Sequence, residues 1–334
     1  GYNNTAGGEN ASISGGRSNT AGGSTSSVSG GRQNTASGWS SSVSGGKYNT
    51  ASGDYSFIGG GGGQNDYEGN IAFADYSAIL GGRANGTGDM DRAFNGSGGY
   101  YELVPGADHN IGIQSAVSGG YANIAGGENA SVSGGGRNRA TGYVASVSGG
   151  VANNASGENS SISAGRVNKA SGSYSSVTGG NNNEASGSYA SVTGGHANDA
   201  TGSYASVTGG FHNEASGGYS FIGGGGGFYP WDGNIAFADY SAILGGRANG
   251  TGDVSREYHM SGDYYELVPG TDHSIGIQSA VSGGYTNIAR GESASVSGGR
   301  LNTAGGENSS VSGGDERSVH GDYDWRAGDL FEGD

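Results

Sequence analysis

The chain lacks cysteine and contains very little proline. None of its 334 residues is Cys and only 3 are Pro, whereas 76 are Gly. Without cysteine there is no disulfide framework. The abundance of Gly, together with Ser, Thr and Asn, excludes a helical fold because these residues are poor helix formers. No run of eighteen apolar residues occurs, so the sequence predicts no transmembrane helix.

Positive charge is also scarce. The chain has 15 Lys and Arg residues against 30 Asp and Glu residues, which gives a net charge of −15. The basic residues are scattered along the sequence without a patch, so we expect no nucleic acid partner and no membrane insertion in this segment. The polar, acidic, repetitive composition favours an extracellular or cell-surface location. Because the chain begins within a repeat, we expect it to be a processed or excised piece of something longer.

The chain consists largely of one fifteen-residue pattern, of which residues 27–41 (SVSGGRQNTASGWSS) are an example. A large aliphatic residue recurs mostly at steps of fifteen, as in Val28, Val43 and Ile58. The steps lengthen to 21 and then 38 after Ile58 and again after Ile222. A fixed period in this range predicts a solenoid. The aliphatic, Asn and Gly positions keep the same spacing over long runs, whereas a disordered Gly-Ser linker requires no fixed spacing.

Each repeat contains two short strands by pattern. Ser or Thr flanks the aliphatic residue and Ala or Ser precedes it by two, which predicts a strand with the aliphatic side chain inward. A second strand, centred on Ala, follows eight residues later. Asn recurs six residues after the aliphatic residue and Gly ten after it; both tolerate positive φ in turns, and Asn can pair with Asn of the next coil. The predicted structural ladder comprises Val28, Val43, Val117, Val132, Val147, Val177, Val192, Val207, Asn34, Asn49, Asn183 and Asn198.

These patterns predict an all-β protein, a parallel β-solenoid or β-roll of 15-residue coils that continues over residues 1–314. Residues 70–89 and 234–253 are identical, so the chain contains an internal duplication with an offset of 164. Each copy carries one irregular segment, which we call the first belt (about 59–116) and the second belt (about 223–280). Residues 315–334 are predicted to form a C-terminal cap, in which Trp325, Leu330 and Phe331 cover the last coil.

Aromatic residues gather in the belts, where loops on a rigid scaffold are the expected place for binding. Exposed aromatic rings can stack on sugars or anchor a protein partner, and the alternative is that they pack over the edge of the roll. A different set of tyrosines recurs at fifteen residues outside the belts and predicts a stacked structural ladder. The candidate ligand-binding residues are Tyr67, Tyr100, Tyr101, Tyr229, Trp231, Tyr264 and Tyr265.

No catalytic or metal-binding signature accompanies the polar residues. Asp108-His109 and Asp272-His273 follow Pro-Gly turns, and no nucleophile elbow surrounds any Ser, so we expect solvated turns and no enzyme. Acidic residues could supply oxygen ligands to Ca²⁺, but neither an EF-hand nor a nonapeptide calcium-roll spacing is present. We therefore predict no cofactor, with Ca²⁺ as the alternative. The acidic residues in question are Asp89, Asp91, Asp322, Asp324, Asp329 and Glu332.

The Ser-Val-Ser-Gly-Gly…Asn-x-Ala-x-Gly pattern resembles the head repeats of trimeric autotransporter adhesins, the YadA-like family. The resemblance covers nearly the whole chain apart from the belts and the cap. It implies a left-handed parallel β-roll on a bacterial surface that attaches to host or matrix proteins, glycans or other cells. Family heads carry a second aliphatic residue two places after the first, where this chain has Gly30 and Gly45. Both a trimer and a single-chain roll therefore remain open.

The sequence thus predicts an extracellular adhesive repeat protein of a bacterial surface. Two alternatives belong to other classes. The outward Ser and Thr residues, with Thr178, Thr193 and Thr208 beside the aliphatic residue, form a regular hydroxyl array that could bind ice. The chain could also be a subunit of an extracellular or phage fibre that self-associates, because a rigid rod needs no binding pocket.

Overall fold

The computed structural model describes residues 1–95, 100–262, 264–327 and 330–332, with the backbone alone for Phe94, Tyr100, Tyr101 and residues 330–332. The chain forms two compact units, Gly1–Val167 and Asn168–Asp334. Each unit is a parallel β-solenoid in which ladder bonds join residues mostly 15 apart in sequence. The predicted fold class, an all-β parallel solenoid of 15-residue coils, is confirmed.

Each coil of the first unit contributes a two-residue strand to each of two parallel sheets. The valine sheet holds the aliphatic residues and the alanine sheet holds the central alanines. The valine sheet consists of Ser12–Ile13, Ser27–Val28, Ser42–Val43, Phe57–Ile58, Ala78–Ile79, Ala116–Val117, Ser131–Val132, Ser146–Val147 and Ser161–Ile162. The alanine sheet consists of Thr5–Ala6, Thr20–Ala21, Thr35–Ala36, Thr50–Ala51, Ile71–Ala72, Gly86–Thr87, Ile124–Ala125, Arg139–Ala140 and Asn154–Ala155.

The second unit is built in the same way. Its valine sheet consists of Ser176–Val177, Ser191–Val192, Ser206–Val207, Phe221–Ile222, Ala242–Ile243, Ala280–Val281, Ser295–Val296, Ser310–Val311 and Trp325–Ala327, with Leu330–Glu332 antiparallel to the last. Its alanine sheet consists of Lys169–Ala170, Glu184–Ala185, Asp199–Ala200, Glu214–Ala215, Ile235–Ala236, Gly250–Thr251, Ile288–Ala289, Thr303–Ala304 and Ser318–Val319.

In-register pairing puts identical side chains above one another. Val28 pairs with Val43, and Ala36 with Ala51, so the interior is a stack of aliphatic residues facing a stack of alanines. From Ala21 and Val28 to Ala304 and Val311, both columns are fully buried. A buried Val contributes roughly 1.5–3 kcal/mol through the hydrophobic effect, so each coil adds only a thin slice of core. Stability therefore depends on every coil being seated on its neighbours.

In a regular coil the interior asparagine forms hydrogen bonds with both groups of its side-chain amide. In the coil of Asn34, Nδ2 donates to the carbonyl oxygens of Gly30 and Gly46, both at 3.0 Å. Oδ1 accepts from the backbone N–H of Asn49 in the next coil at 3.1 Å. Asn34 is buried, so these bonds remove the cost of placing an amide in the core. The asparagine ladder thus runs mainly from side chain to backbone.

The second glycine after the first strand has positive φ as the turn pattern suggested, with 89° at Gly31, but the recurring Asn and the Gly ten residues after the aliphatic residue do not. Gln33 and Ser40, five and twelve residues after Val28, have φ values of 54° and 52°, whereas the ladder asparagines have none above zero. Gly38, ten residues after Val28, is not in the left-handed region either. A Cβ there would lie 2.1 Å from the carbonyl oxygen of Gly53, so this glycine is required by the close approach of coils. The interpretation of both residues as positive-φ positions is wrong.

Each belt contains a β-hairpin where the sequence suggested loops. The first hairpin pairs Met90–Asn95 with Tyr100–Pro105, and the second pairs Val254–His259 with Tyr264–Pro269. A 3₁₀ turn precedes each of them, at Asp66–Glu68 and Pro230–Asp232. The described residues contain no α-helix. They therefore include no helix of the length and hydrophobicity that crossing a bilayer requires.

The hairpins pack on the outer face of the alanine sheet. In ordinary coils the outward residue before the alanine is polar, such as Thr35, but under the first hairpin this column reads Ile71, Gly86 and Ile124. The buried cluster there consists of Phe73, Met90 and Ile124, with Ile71 and Leu103 packed against it. The second hairpin has the same arrangement, with Phe237, Val254, Leu267, Ile288 and Ile235. The hairpins are therefore a fixed second layer.

The coil pattern continues beyond residue 314. Ser318–Val319 pairs in parallel with Thr303–Ala304, and Trp325–Ala327 pairs in parallel with Ser310–Val311. Trp325 Nε1 donates to Ser312 Oγ at 3.0 Å, and the side chain is 39% exposed. The side chains of Leu330 and Phe331, which the sequence assigned to the cap, lie outside the described part of the structure.

Candidate functional site

Three of the predicted aromatic residues come together in the second belt. Tyr229 stacks on Trp231 with ring centroids 4.7 Å apart, and Trp231 stacks on Tyr264 at 4.2 Å. The interplanar angles are 5° and 19°. Trp231 is therefore held between two tyrosines, one from the same turn and one from the second hairpin. Stacked pairs of this kind contribute about 0.5–1.5 kcal/mol beyond area burial, so the cluster ties the turn to the hairpin.

Two further rings extend this cluster, and the sequence had not singled them out. Phe228 meets Tyr229 edge to face at 5.4 Å, and His259 stacks on Tyr264 at 4.8 Å. We call the five residues the aromatic run: Phe228, Tyr229, Trp231, Tyr264 and His259. Phe228 is 80% exposed at one end of the run, and Met260, which follows His259 at the other end, is 89% exposed. The sequence does contain an indication of this site, because Phe228 and His259 correspond to Gln64 and Asn95 in the first belt.

The aromatic run rests on an ion pair between a buried carboxylate and a half-exposed arginine. Asp232, at the end of the 3₁₀ turn, is 4% exposed and lies 2.6 Å from Nη2 of Arg247. Its backbone carbonyl accepts from the N–H of Ala248, and its backbone N–H donates to Tyr229. Because a buried carboxylate is stable only when paired, these contacts fix the turn on the coil beneath it. The rings are therefore presented on a rigid base.

Tyr265 lies apart from the aromatic run. Successive residues of a strand point to opposite faces, so Tyr265 meets Tyr258, with ring centroids 5.1 Å apart, instead of Trp231. Beneath this pair Arg256 donates from Nη2 to the carbonyl oxygen of Asn302 at 2.6 Å. Burial lowers the pKa of Arg256 to about 10, so the guanidinium is still charged at neutral pH.

The first belt does not repeat the aromatic run. Gln64 and Asn65 stand where the second belt has Phe228 and Tyr229. The hydroxyl oxygen of Tyr67 accepts a hydrogen bond from Asn65 Nδ2 at 2.8 Å, and its ring is half-buried. The side chains of Tyr100 and Tyr101 lie outside the described part of the structure. The two belts therefore share a backbone plan but present different tips.

A second aromatic feature, a ladder of stacked tyrosines, runs along the second unit. Each tyrosine occupies the turn position that Ser40 occupies in the first unit, with φ values of 57–60°. Neighbouring rings are 4.6–4.9 Å apart with interplanar angles of 2–3°. Their faces are covered by one another, so only ring edges and the two end faces remain open to a ligand. The fifteen-residue period predicts every member of this ladder except Tyr240. The ladder consists of Tyr174, Tyr189, Tyr204, Tyr219 and Tyr240.

The two Asp-His pairs are structural. His109 stacks on Phe73 at 4.0 Å, and its Nδ1 lies 2.5 Å from the carbonyl oxygen of Phe73. His273 makes the same contacts with Phe237. Asp108 accepts from the backbone N–H of Asn110, which lowers the pKa of its carboxyl. The expectation that these histidines are solvated is wrong, because they help to pin the belt to the solenoid.

The acidic residues that the sequence offered for Ca²⁺ are dispersed. Asp91 contacts Nη1 of Arg139 at 3.3 Å, and Asp322 accepts from the backbone N–H of Glu307 at 2.9 Å. Asp324 is nearly buried and accepts from the backbone N–H of Gly321. Asp329 and the side chain of Glu332 lie outside the described residues. Within the described residues, no three His, Asp or Glu side chains are grouped so as to hold a metal ion.

A column of three acids lies on the alanine sheet of the second unit. Asp199 pairs in register with Glu184 on one side and Glu214 on the other. Desolvation by the surrounding atoms, followed by the charges of Glu184 and Glu214, raises the pKa of Asp199 to about 6. The folded state therefore binds more protons than the unfolded chain between about pH 4 and this value, and stability rises as the pH falls through that window.

We expect Asp199→Asn to raise the melting temperature at pH 8, because the substitution removes the repelled charge. The gain should shrink as the pH falls from about 6 to about 4, where the parent carboxyl becomes protonated. Thermal unfolding followed by circular dichroism across this range gives the difference between parent and variant. Glu292→Gln, at an exposed position outside the column, is the matched control. A pH-independent difference for Asp199→Asn would contradict the assignment.

Comparison with models of known protein families finds no family that matches this chain. Comparison with curated proteins likewise finds no similar sequence. The resemblance to adhesin head repeats therefore depends on the repeat pattern alone, and the function has to be argued from the geometry of the belts.

Proposed function

We propose that the chain is an extracellular adhesive repeat protein of a bacterial surface and that the aromatic run of the second belt is its contact site for a host matrix protein. The solenoid is the support, and the second hairpin with its preceding turn is the recognition element. This assignment combines the adhesin-like repeat pattern with a surface that offers large, exposed apolar side chains on a fixed base.

The observation that carries the proposal is the exposure of Phe228 and Met260, at 80% and 89%. Tyr258 on the same hairpin is 49% exposed. Large apolar side chains exposed on a rigid element are typical of protein interaction sites, in which aromatic anchors dominate the binding energy. A sugar would need an open ring face, but the inner rings of the aromatic run are covered on both faces. These features favour a protein over a neutral glycan as the partner.

The test exchanges the tip of the second belt for that of the first. Phe228→Gln with Tyr229→Asn introduces the residues of the first belt, whose turn has the same backbone plan. We expect adhesion to decellularised host matrix, measured by surface plasmon resonance, to weaken at least tenfold because the exposed anchor is lost. Circular dichroism and melting temperature should change little.

The control variant carries the same number of changes away from the tip, Tyr189→Phe with Tyr204→Phe, which leaves the tyrosine ladder stacked. We expect it to adhere as the parent does. If the tip exchange leaves adhesion unchanged while the parent adheres, the aromatic run is not the contact site. Loss of parental adhesion after glycosidase treatment of the matrix, but not after protease treatment, would assign the partner to glycans.

Ice binding is the second candidate because outward hydroxyls stand in register on the valine sheet of the second unit. Ser176, Ser191 and Ser206 form one column, and the threonines two residues later form a second. The Ser176 and Ser191 hydroxyls are 3.4 Å apart and bond to each other. The face is interrupted at Phe221 and at Leu244, which is 59% exposed. Thermal hysteresis of the parent chain separates this function from adhesion, and a fibre would be recognised by growth into long particles.

A further inference from the structure

A cavity of about 420 Å³ opens beside the first hairpin and is lined by three arginines, Arg92, Arg137 and Arg139. Arg92 comes from the hairpin, whereas Arg137 and Arg139 come from a coil more than forty residues later. They meet because the hairpin folds back over the alanine sheet. The expectation that basic residues form no patch is wrong at this place. Binding pockets for small ligands typically begin at about 300 Å³, so the cavity has a suitable size.

Arg92 is the deepest of the three. Its Nη2 donates to the carbonyl oxygen of Ala122, and its Nη1 lies 3.4 Å from the carbonyl oxygen of Arg137. Its Nε is buried and has no hydrogen-bond partner in the described structure. Burial, followed by the positive charges of Arg139 and Arg137, lowers the pKa of Arg92 to about 10, so it remains charged at neutral pH.

Positive charge exceeds negative charge in the cavity wall. Asp91 is the single carboxylate in the lining, and it lies 3.3 Å from Nη1 of Arg139. The Asp91 side chain is 82% exposed, so its charge is largely screened by solvent. Three guanidinium groups at close range repel one another, and an oxyanion placed among them would offset that repulsion. This excess is unusual in a chain with a net charge of −15.

The same wall offers a neutral polar contact. Oδ1 of Asn154 is buried and has no hydrogen-bond partner in the described structure. This atom can only accept, so it calls for a hydroxyl or N–H donor. Tyr121 adds a ring at the rim, with the guanidinium carbon of Arg83 4.7 Å from its centroid. An oxyanion that carries hydroxyl groups would satisfy both the arginines and Asn154.

We propose that this cavity binds an acidic saccharide, whose carboxylate group lies among Arg92, Arg137 and Arg139 and whose hydroxyl donates to Asn154. The site is in the first unit and does not depend on the adhesive role of the second belt. Arg is suited to this task because its guanidinium donates two parallel hydrogen bonds to an oxyanion.

The duplication supplies an internal control. At the offset of 164, Arg92 corresponds to Arg256, but Arg137 and Arg139 correspond to Leu301 and Thr303. Leu301 is 6% exposed. The second unit therefore keeps the hairpin arginine without the other two, and the cluster of charge is particular to the first unit.

The experiment uses the full chain and isothermal titration calorimetry at fixed ionic strength, with sodium glucuronate, inorganic sulfate and glucose as probes. We expect saturable binding of glucuronate at one site per chain, weak or no binding of glucose, and at least tenfold weaker glucuronate binding in Arg137→Leu with Arg139→Thr. The matched charge control, Arg17→Gln with Arg32→Gln, removes two exposed arginines elsewhere in the first unit and should bind as the parent does.

A gain-of-function variant keeps the test decisive if the double substitution unfolds the first unit. Leu301→Arg with Thr303→Arg should raise the stoichiometry of glucuronate from one to two per chain. Three results would overturn the proposal: no saturable binding by the folded parent, an equal loss in the Arg17→Gln, Arg32→Gln control, or binding of sulfate without glucuronate. The last result would assign the cavity to a free oxyanion.

Discussion

Replacing Val192 with Asp is expected to unfold the second unit at a much lower denaturant concentration than the parent requires. Val192 is fully buried and pairs in register with Val177 and Val207. The thin core has no polar partner for a carboxylate there, so the substitution places an unpaired charge between two aliphatic layers. The expected loss is roughly 3–5 kcal/mol of unfolding free energy.

Thr193→Asp is the matched control, because Thr193 directly follows the strand Ser191–Val192 and its side chain is exposed. Urea denaturation followed by circular dichroism should give Thr193→Asp a midpoint close to that of the parent and Val192→Asp a far lower one. Equal midpoints for the two variants would mean that the strand does not alternate as described, and the solenoid arrangement of this unit would be refuted.

The second large effect is expected from Asn183→Ala. The Asn183 amide donates to Gly179 and Gly195 and accepts from the backbone N–H of Asn198 at 2.9 Å. Truncation to a methyl group leaves the buried N–H of Asn198 without a partner and removes the amide donor from the carbonyl of Gly179, whereas the carbonyl of Gly195 keeps the N–H of Asn181. The orphaned N–H costs about 1–3 kcal/mol and each lost bond to a carbonyl about 0.5–1.5 kcal/mol, so the loss should amount to roughly 2 kcal/mol or more. Asn183→Asp should also destabilise, because a carboxylate cannot donate to either carbonyl.

Amide hydrogen exchange locates this effect. Protection of the Asn198 amide should fall further than that of distant coils, since that amide loses its partner directly. Asn182→Ala changes the exposed neighbour at φ 57° and should cost less than about 1 kcal/mol, as it removes no interior bond. If Asn183→Ala is no less stable than Asn182→Ala, the asparagine ladder contributes nothing to stability.

The repeated coil was predictable because one local rule recurs in every repeat. Three features recur at a fixed interval in the sequence. They are an inward aliphatic residue such as Val28, an interior asparagine and a small residue in the second strand. The turns were less predictable, because positive φ falls on residues as different as Gln33, Tyr48 and Val144. The backbone path of the coil sets that angle, so the side chains there leave no common signature.

The hairpins and the arginine cavity could not be derived from the period. A trace of the first hairpin was available in the outward column, which changes from Thr50 to Ile71, Gly86 and Ile124 where the hairpin covers it. The meeting of Arg92 with Arg137 and Arg139 depends on how the hairpin folds back, which no spacing encodes. The aromatic run was anticipated in part, since Tyr229, Trp231 and Tyr264 were singled out, whereas Tyr265 proved to face the other way.

The long belts also bear on the speed of folding. Between ordinary coils the ladder bond closes a span of 15 residues, but from Asn85 to Asn123 and from Asn249 to Asn287 it closes 38. Closing the longer span costs about 0.8 kcal/mol more in chain entropy, before the hairpin has been ordered. A solenoid that grows coil by coil from a nucleus in a regular stretch will therefore slow down at each belt. The two belts would therefore set the rate at which a unit becomes complete.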